Sequence, residues 1–288
     1  LTDRMYIIRT DGFELNEKMK ISKKYLLPKI INSVGYENGK IDFPDEIIKF
    51  IIENYTFEGG VRKLKECMLE ICKELNLRML SGTKLLGNKV KFPLTITEKM
   101  LTDDIFEKRK IHKADKIYDK PKVGLVNGLW ANDMGVGGLV PIEAFSIPTK
   151  NKLQLELTGQ QGDVMKESMR CAKTVAWNII PNKCKERLNK EWNDFGNTGI
   201  HIHCPDGATP KDGPSAGAAI TTAIISLLLN EPVDNKIAMT GEINLKGEVT
   251  EIGGLSQKLT GAKKAGATHA LVPLQNKPDL DKILAGEN

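Results

Sequence analysis

The sequence predicts an α+β protein, a small all-α helical bundle followed by a layered α/β domain. Two observations predict it. From Leu1 to about Lys110 the apolar residues recur at helical spacing, and from about Lys122 they alternate along strands that interleave with helices. Between them, residues 111–121 are charged and lack any apolar period, which reads as a linker. The expected organisation is therefore a bundle over 1–110, a linker over 111–121 and a domain over 122–288.

In the first part, Glu14 to Ile31 supplies one helix that ends near Pro28, and Pro44 opens a second that runs through Tyr55. Gly59-Gly60 precedes a third, whose Val61, Leu64, Met68, Ile71, Cys72, Leu75 and Met79 form the strongest periodic stripe in the chain. A fourth follows Thr97. In the second part, Val123–Leu129, Leu139–Ser146 and Lys152–Thr158 read as strands, and a helix spans about Asp163 to Ile180. A polar loop with Trp192 and Gly196 comes next. An alternating strand, Gly199 to Cys204, leads through a Pro/Gly turn into an apolar helix, Ala218 to Leu229. Strand Lys236–Met239, a hairpin centred on Gly247, a lysine-bearing helix, strand Thr268–Pro273 and a last helix, Pro278 to Leu284, complete the pattern.

The 288 residues, 40% of them hydrophobic, with a mean hydropathy of -0.29, suit a globular protein of about two domains. A net charge of +5 is a mild excess spread over lysine-rich faces and demands no polyanionic partner. Cys67, Cys72, Cys171, Cys184 and Cys204 are odd in number, lack framework spacing and read as reduced residues of an intracellular protein. No run reaches transmembrane length, so no membrane partner is expected. The chain opens mid-pattern without a start methionine and reads as an excised fragment. His201 and His203 share a strand face, but with no Cys-x-x-Cys or His-Glu-x-x-His beside them no metal site is expected.

Two segments carry chemistry. In Thr209-Pro210-Lys211-Asp212-Gly213-Pro214-Ser215-Ala216-Gly217 the prolines fix φ, Asp212 is placed to cap the following helix, and Ser215 falls in its first turn. Free backbone N–H groups and the positive end of the helix dipole there favour developing negative charge, so a nucleophile and an oxyanion site share one turn. As a bland alternative, Ser215 is only a cap. In Gly253-Gly254-Leu255-Ser256-Gln257-Lys258-Leu259 the helical stripe is Leu255, Leu259, Ala262 and Ala265, and Lys258 lies inside that arc while Lys263 and Lys264 lie outside. A lysine held against an apolar face loses solvation, which lowers its pKa and fits it to take a serine proton. Its bland alternatives are a snorkelling lysine or a buried ion pair.

Pro210 to Gly217, with Lys258 following behind a Gly-Gly-Leu turn, resembles the Ser–Lys proteolytic site of the Lon family of ATP-dependent proteases. His201-Ile202-His203, Ala238-Met239-Thr240-Gly241-Glu242 and Thr158-Gly159-Gln160 extend the resemblance. It implies that Ser215 is the nucleophile and Lys258 the base, and that the Thr240 hydroxyl sits beside that lysine. It further implies that Glu143, on a strand, and His201 and His203 lie near the site, and that Asp212 pairs with Lys258 in a resting state or caps the helix. The helical part resembles an AAA+ ATPase lid, with Arg62 as its phosphate-reaching sensor and Arg4 where the family carries an arginine finger.

No Gly-x-x-x-x-Gly-Lys-Ser/Thr loop occurs, so no cofactor is expected in this chain, while ATP and Mg²⁺ are implied for the intact protein. Unfolded polypeptides as substrates, a hexameric ring, and a location in the cytoplasm or mitochondrial matrix are implied in the same way, as is DNA for some members. The competing readings are a catalytically silent chaperone or binding module of the same fold, and a nucleotide-binding enzyme that is not a protease. The order Leu129-Trp130-Ala131 departs from the family's usual Ala-Trp-Thr, which makes Met134 and Val136 candidates for the substrate groove.

Overall fold

The computed structural model describes residues 12–37, 39–56, 58–109, 111, 116–132, 135–205 and 212–285. They divide into two compact units, one within Leu1–Lys113 with Asp133–Val136, the other within Ala114–Asn132 and Gly137–Asn288.

In the first unit α1 (Leu15–Ile21) and α2 (Leu27–Val34) are joined by a π-helical turn, Ser22–Leu26, so the helix continues past Pro28 instead of ending there. Proline lacks the N–H that an α-helix needs and its ring crowds the preceding turn. The wider turn, in which the Leu27 N–H donates to the Ser22 carbonyl, absorbs both. Gly35, at φ 84°, then ends the helix in the left-handed region. β1 (Ile41–Asp42), α3 (Asp45–Tyr55) and α4 (Arg62–Ser81) follow, then the hairpin β2 (Lys84–Leu85) with β3 (Asn88–Lys89), β4 (Leu94–Thr95) parallel to β1, and α5 (Glu98–Met100) running into a second π turn, Leu101–Ile105. The two-residue strands are too short for any period to show in sequence. Ile48 and Ile51 of α3 pack against the α4 stripe of Leu64, Met68, Ile71, Cys72 and Leu75, all buried. The predicted stripe ends there, because Met79 in the last turn is exposed.

The second unit contains β5 (Leu125–Ala131), β6 (Gly137–Pro148), β7 (Leu155–Thr158), α6 (Asp163–Ile179), α7 (Asn182–Phe195), β8 (Thr198–His203), α8 (Gly217–Leu229), β9 (Ile237–Met239), β10 (Glu242–Ile243), β11 (Val249–Thr250), α9 (Leu255–Ala265), β12 (His269–Leu271) and α10 (Lys277–Ala285). Six of these strands form one mixed sheet in the order β12-β9-β5-β6-β8-β7. β10 and β11 form the hairpin expected around Gly247, which sits at φ 85°.

Strand alternation divides the sheet into two faces. Val126, Val140, Ile142, Ala144, Ile200 and Ile202 point to one side and meet α6, α7 and α8 in the main core. Leu129 and Ala238 point to the other and meet Ala262 of α9. Helices α8 and α9 therefore cover opposite faces.

The polar loop expected after Ile180 is helix α7. Its apolar stripe is reduced to Cys184, Leu188 and Trp192, one residue per turn, and these three bury against the core while every other position is polar or exposed. So thin a stripe leaves no amphipathic signal above a lysine-rich background. The stretch read as a linker is bound to this unit from Ile117 onward. The Ile117 N–H donates to the Ala265 carbonyl (3.1 Å), and the Asn235 side chain donates to the Tyr118 carbonyl. Among the described residues no helix is long and apolar enough to cross a membrane.

Candidate active site

Ser215 lies half-buried in a short 3-10 turn, Pro214–Ala216, that opens directly into α8. The turn is fastened to the end of β9 from two directions. The Ser215 carbonyl accepts from the Gly241 N–H at 2.8 Å and from the Thr240 hydroxyl at 3.1 Å, and the Ala218 N–H donates back to the Gly241 carbonyl at 3.0 Å. Ser168 of α6 adds a long bond to the Pro214 carbonyl, at 3.5 Å. No side chain caps either the 3-10 turn or α8 among the described residues; the Gly217 N–H donates to the Pro214 carbonyl, and the Ala218 N–H is taken by the Gly241 carbonyl. Residues 206–211, which include Thr209, Pro210 and Lys211 of the predicted turn, lie outside the described residues.

Asp212 does not cap the serine helix. Its Oδ1 accepts from the Met165 N–H at 3.0 Å and so caps α6. The N-cap of α6 is Gly162, which has no side chain of its own to offer. A Cβ on Gly162 would lie 2.6 Å from the Asp212 Cβ, so a bare backbone there also makes room for the carboxylate. No ion pair joins Asp212 to Lys258 among the described residues.

Lys258 stands on α9 as its stripe predicts. The residue is 3% exposed, and burial pushes its pKa from 10.5 down to about 8. Neither a hydrogen bond nor an ion pair engages its ammonium among the described residues, and no bond joins it to Ser215 or Thr240. The hydroxyl of the buried Thr240, which the resemblance sets beside the lysine, donates to the Ser215 carbonyl.

Glu143, His201 and His203 belong to neighbouring strands on the face away from the main core. Glu143 sits opposite His203 in the β6–β8 register and accepts from the Tyr118 hydroxyl at 3.0 Å. The Thr158 hydroxyl lies 2.9 Å from Nε2 of His201 and 2.7 Å from Nδ1 of His203. Two imidazoles thus share one hydroxyl, a pairing foreshadowed only by the equal parity of 201 and 203. Tyr118 was hidden by its place in a patternless stretch, and Gly241 by acting through its backbone. Val136 is described and half-buried; Met134 lies outside the described residues.

In the other unit the Arg62 side chain is 90% exposed at the first turn of α4 and pairs with Glu66 at 3.2 Å. The N–H groups of Lys63 and Leu64 are capped by the Glu58 carboxylate, both at 2.9 Å. Arg4 lies outside the described residues.

Comparison with known families places the chain. A model described as the Lon protease (S16) C-terminal proteolytic domain matches residues 95–286. The chain belongs to the Lon protease family. A second model, the Lon protease AAA+ ATPase lid domain, matches residues 32–88. The Lon protease of Chlamydia trachomatis serovar D is 38% identical over 287 residues, 99% of this chain and 34% of that protein. Those of Clostridium acetobutylicum and Haemophilus influenzae are 39% and 40% identical, each over 98% of this chain, covering 34% and 33% of their own lengths. The chain thus spans about a third of the curated relatives it matches. It carries a Lon-type serine protease domain preceded by an AAA+ lid.

Proposed function

We propose that Ser215 and Lys258 form the catalytic dyad of this protease. The observation that carries the reading is a lysine on an apolar helix face, buried, without a charge partner among the described residues, and held near a pKa of 8. A neutral amine is then present at physiological pH, which is what a serine nucleophile requires. Lys258 takes the Ser215 proton as Oγ attacks the peptide carbonyl. Backbone N–H groups around Ser215 receive the oxyanion. The intermediate collapses with cleavage of the C–N bond, and the Lys258 ammonium protonates the departing amine. Lys258 then deprotonates a water, which attacks the ester, and Ser215 leaves with the proton. Thr240 and Gly241 hold the Ser215 turn, and Asp212 anchors the loop before it to α6. Glu143, His201 and His203 support the adjoining strands.

For the whole protein we infer ATP-dependent degradation of unfolded polypeptides by a hexameric ring inside the cell, in the cytoplasm or mitochondrial matrix. The exposed Arg62 is suited to one phosphate contact at the lid, and ATP with Mg²⁺, when bound, supplies the work of unfolding and threading. No further nucleotide contact is assigned to the described residues.

Cleavage of a casein-like substrate and a fluorogenic peptide, beside Ser215→Ala and Lys258→Ala, tests the dyad. Each change is expected to remove at least about 10³-fold of the rate. Retained cleavage by Lys258→Ala places the base elsewhere. If the parent itself is inert, a boronate that labels Ser215 supports a formed site, and absence of labelling favours a silent binding module.

A further inference from the structure

We propose that Gly137 is a positioning residue for the Lys258 base, because its bare backbone seats the Gln257–Lys258 peptide on β6 and so sets how far Lys258 reaches. The proposal rests on the dyad reading above.

Helix α9 meets strand β6 backbone to backbone. A Cβ on Gly137 would overlap the Gln257 carbonyl and stand 2.9 Å from the Lys258 nitrogen. One helical turn later the contact repeats from the other side, where a Cβ on Gly261 would lie 2.5 Å from the Gly138 nitrogen and 2.6 Å from the Gly137 carbonyl carbon. Both partners lack side chains at the crossing, so the helix axis lies closer to the sheet than any pair of larger residues allows. Gly137 does not adopt a left-handed φ, which leaves space as the reason for glycine. The neighbouring Gly138 serves a different purpose, since its Cβ would meet the Trp130 ring at 2.7 Å. Of the two glycines of β6 in this stretch, it is Gly137 whose Cβ would meet the peptide bond that carries Lys258.

Restoring ordinary contact of about 3.5 Å after a methyl is added forces α9 back by roughly 1 Å. A displacement of that size at a reacting group is worth about 10²-fold in rate. It also admits water around the Lys258 stem, which relieves the desolvation that holds the amine near neutrality. A residue that only stabilised the fold would change the melting temperature without moving this titration.

The test uses this chain with Gly137→Ala. The Lys258 Cε titration is followed by NMR, assigned with Lys258→Met, beside kcat and KM for a fluorogenic peptide. The expected result is a midpoint raised from about 8 toward 10.5, with kcat down about 10²-fold and KM within about twofold. An unmoved midpoint overturns the proposal whatever the rate does, and it decides the matter even when the parent does not cleave. If Gly137→Ala fails to fold, Gly261→Ala enters the same contact from the helix side and is held to the same criterion. Lys258→Ala is assayed alongside. Activity in that variant sinks the dyad, whereas an inert Lys258→Ala with an unmoved Gly137→Ala titration sinks only the seat.

Discussion

Replacing Lys258 by methionine should make the proteolytic unit more stable at neutral pH while abolishing peptide cleavage. The folded state holds the lysine at about 8 against 10.5 for the free group. Between those values the unfolded chain binds more protons than the folded one, so stability rises as pH rises from 8 to 10.5. Below pH 8 the fold must bury an ammonium, at a cost of about 3 kcal/mol at 1.4 kcal/mol per pH unit. Methionine fills similar volume without a charge and removes that cost. Trp130, Trp177 and Trp192, the only tryptophans in the sequence, all lie in the second unit, so their fluorescence reports its unfolding selectively. With a slope of about 2 kcal/mol/M in urea, the midpoint should rise by roughly 1.5 M at pH 7. By pH 10 the gain should shrink to about 1 kcal/mol. A variant less stable than the parent at pH 7, or a difference that does not vary with pH, refutes the reasoning. Either result means that the ammonium has a partner in the fold.

Three further outcomes follow from the site. The kcat/KM of the parent for a short peptide should climb through a single protonic limb near pH 8 and level off above it, as Lys258 loses its proton; a limb near 6 would point to an imidazole instead. Asp212→Ala should cost about 1 kcal/mol by uncapping α6, with Asp212→Asn recovering part of it, both read from tryptophan unfolding curves. Thr240→Val removes one of the two donors on the Ser215 carbonyl and should lower stability by about 1 kcal/mol, with a fall in kcat larger than any change in KM.

How much of this was legible in sequence follows from what each residue does with its side chain. Lys258 could be placed because helical geometry alone separates it from Lys263 and Lys264, and Leu255, Ala262 and Ala265 are buried beside it, with Leu259 half-buried. Strands β6 and β8 could be placed because one side of each is buried in the main core. Helix α7 could not, since three contacts spread over fourteen residues leave too little period. Asp212 was assigned to the wrong helix because a capping spacing specifies only the nearest helix in sequence, while the open amide it satisfies belongs to a helix starting about fifty residues earlier. Backbone contacts leave the weakest trace of all. Gly241 appeared only as part of a motif of the resemblance, with no sign of its donation to Ser215, and Gly137 meeting Lys258 appears in the sequence only as one more glycine among 26.

The two halves of the proposed dyad come from opposite faces of one sheet, and this explains why neither segment is informative without the other. Ser215 arrives with α8 from the main-core side, tied to the end of β9, and Lys258 arrives with α9 from the other side, seated on β6. Strands β5 and β9 run parallel between them, with Asn127 opposite Ala238 and Gly128 opposite Met239. The proposed dyad requires the amine and the hydroxyl to meet past the ends of those strands, where Thr240 follows β9 and Ala131 closes β5. Their separation then depends on two backbone seats, each built around glycine. Rigid seats suit this chemistry because a neutral lysine holds its proton affinity only while water is kept from it, and a small retreat of α9 spoils both reach and basicity together.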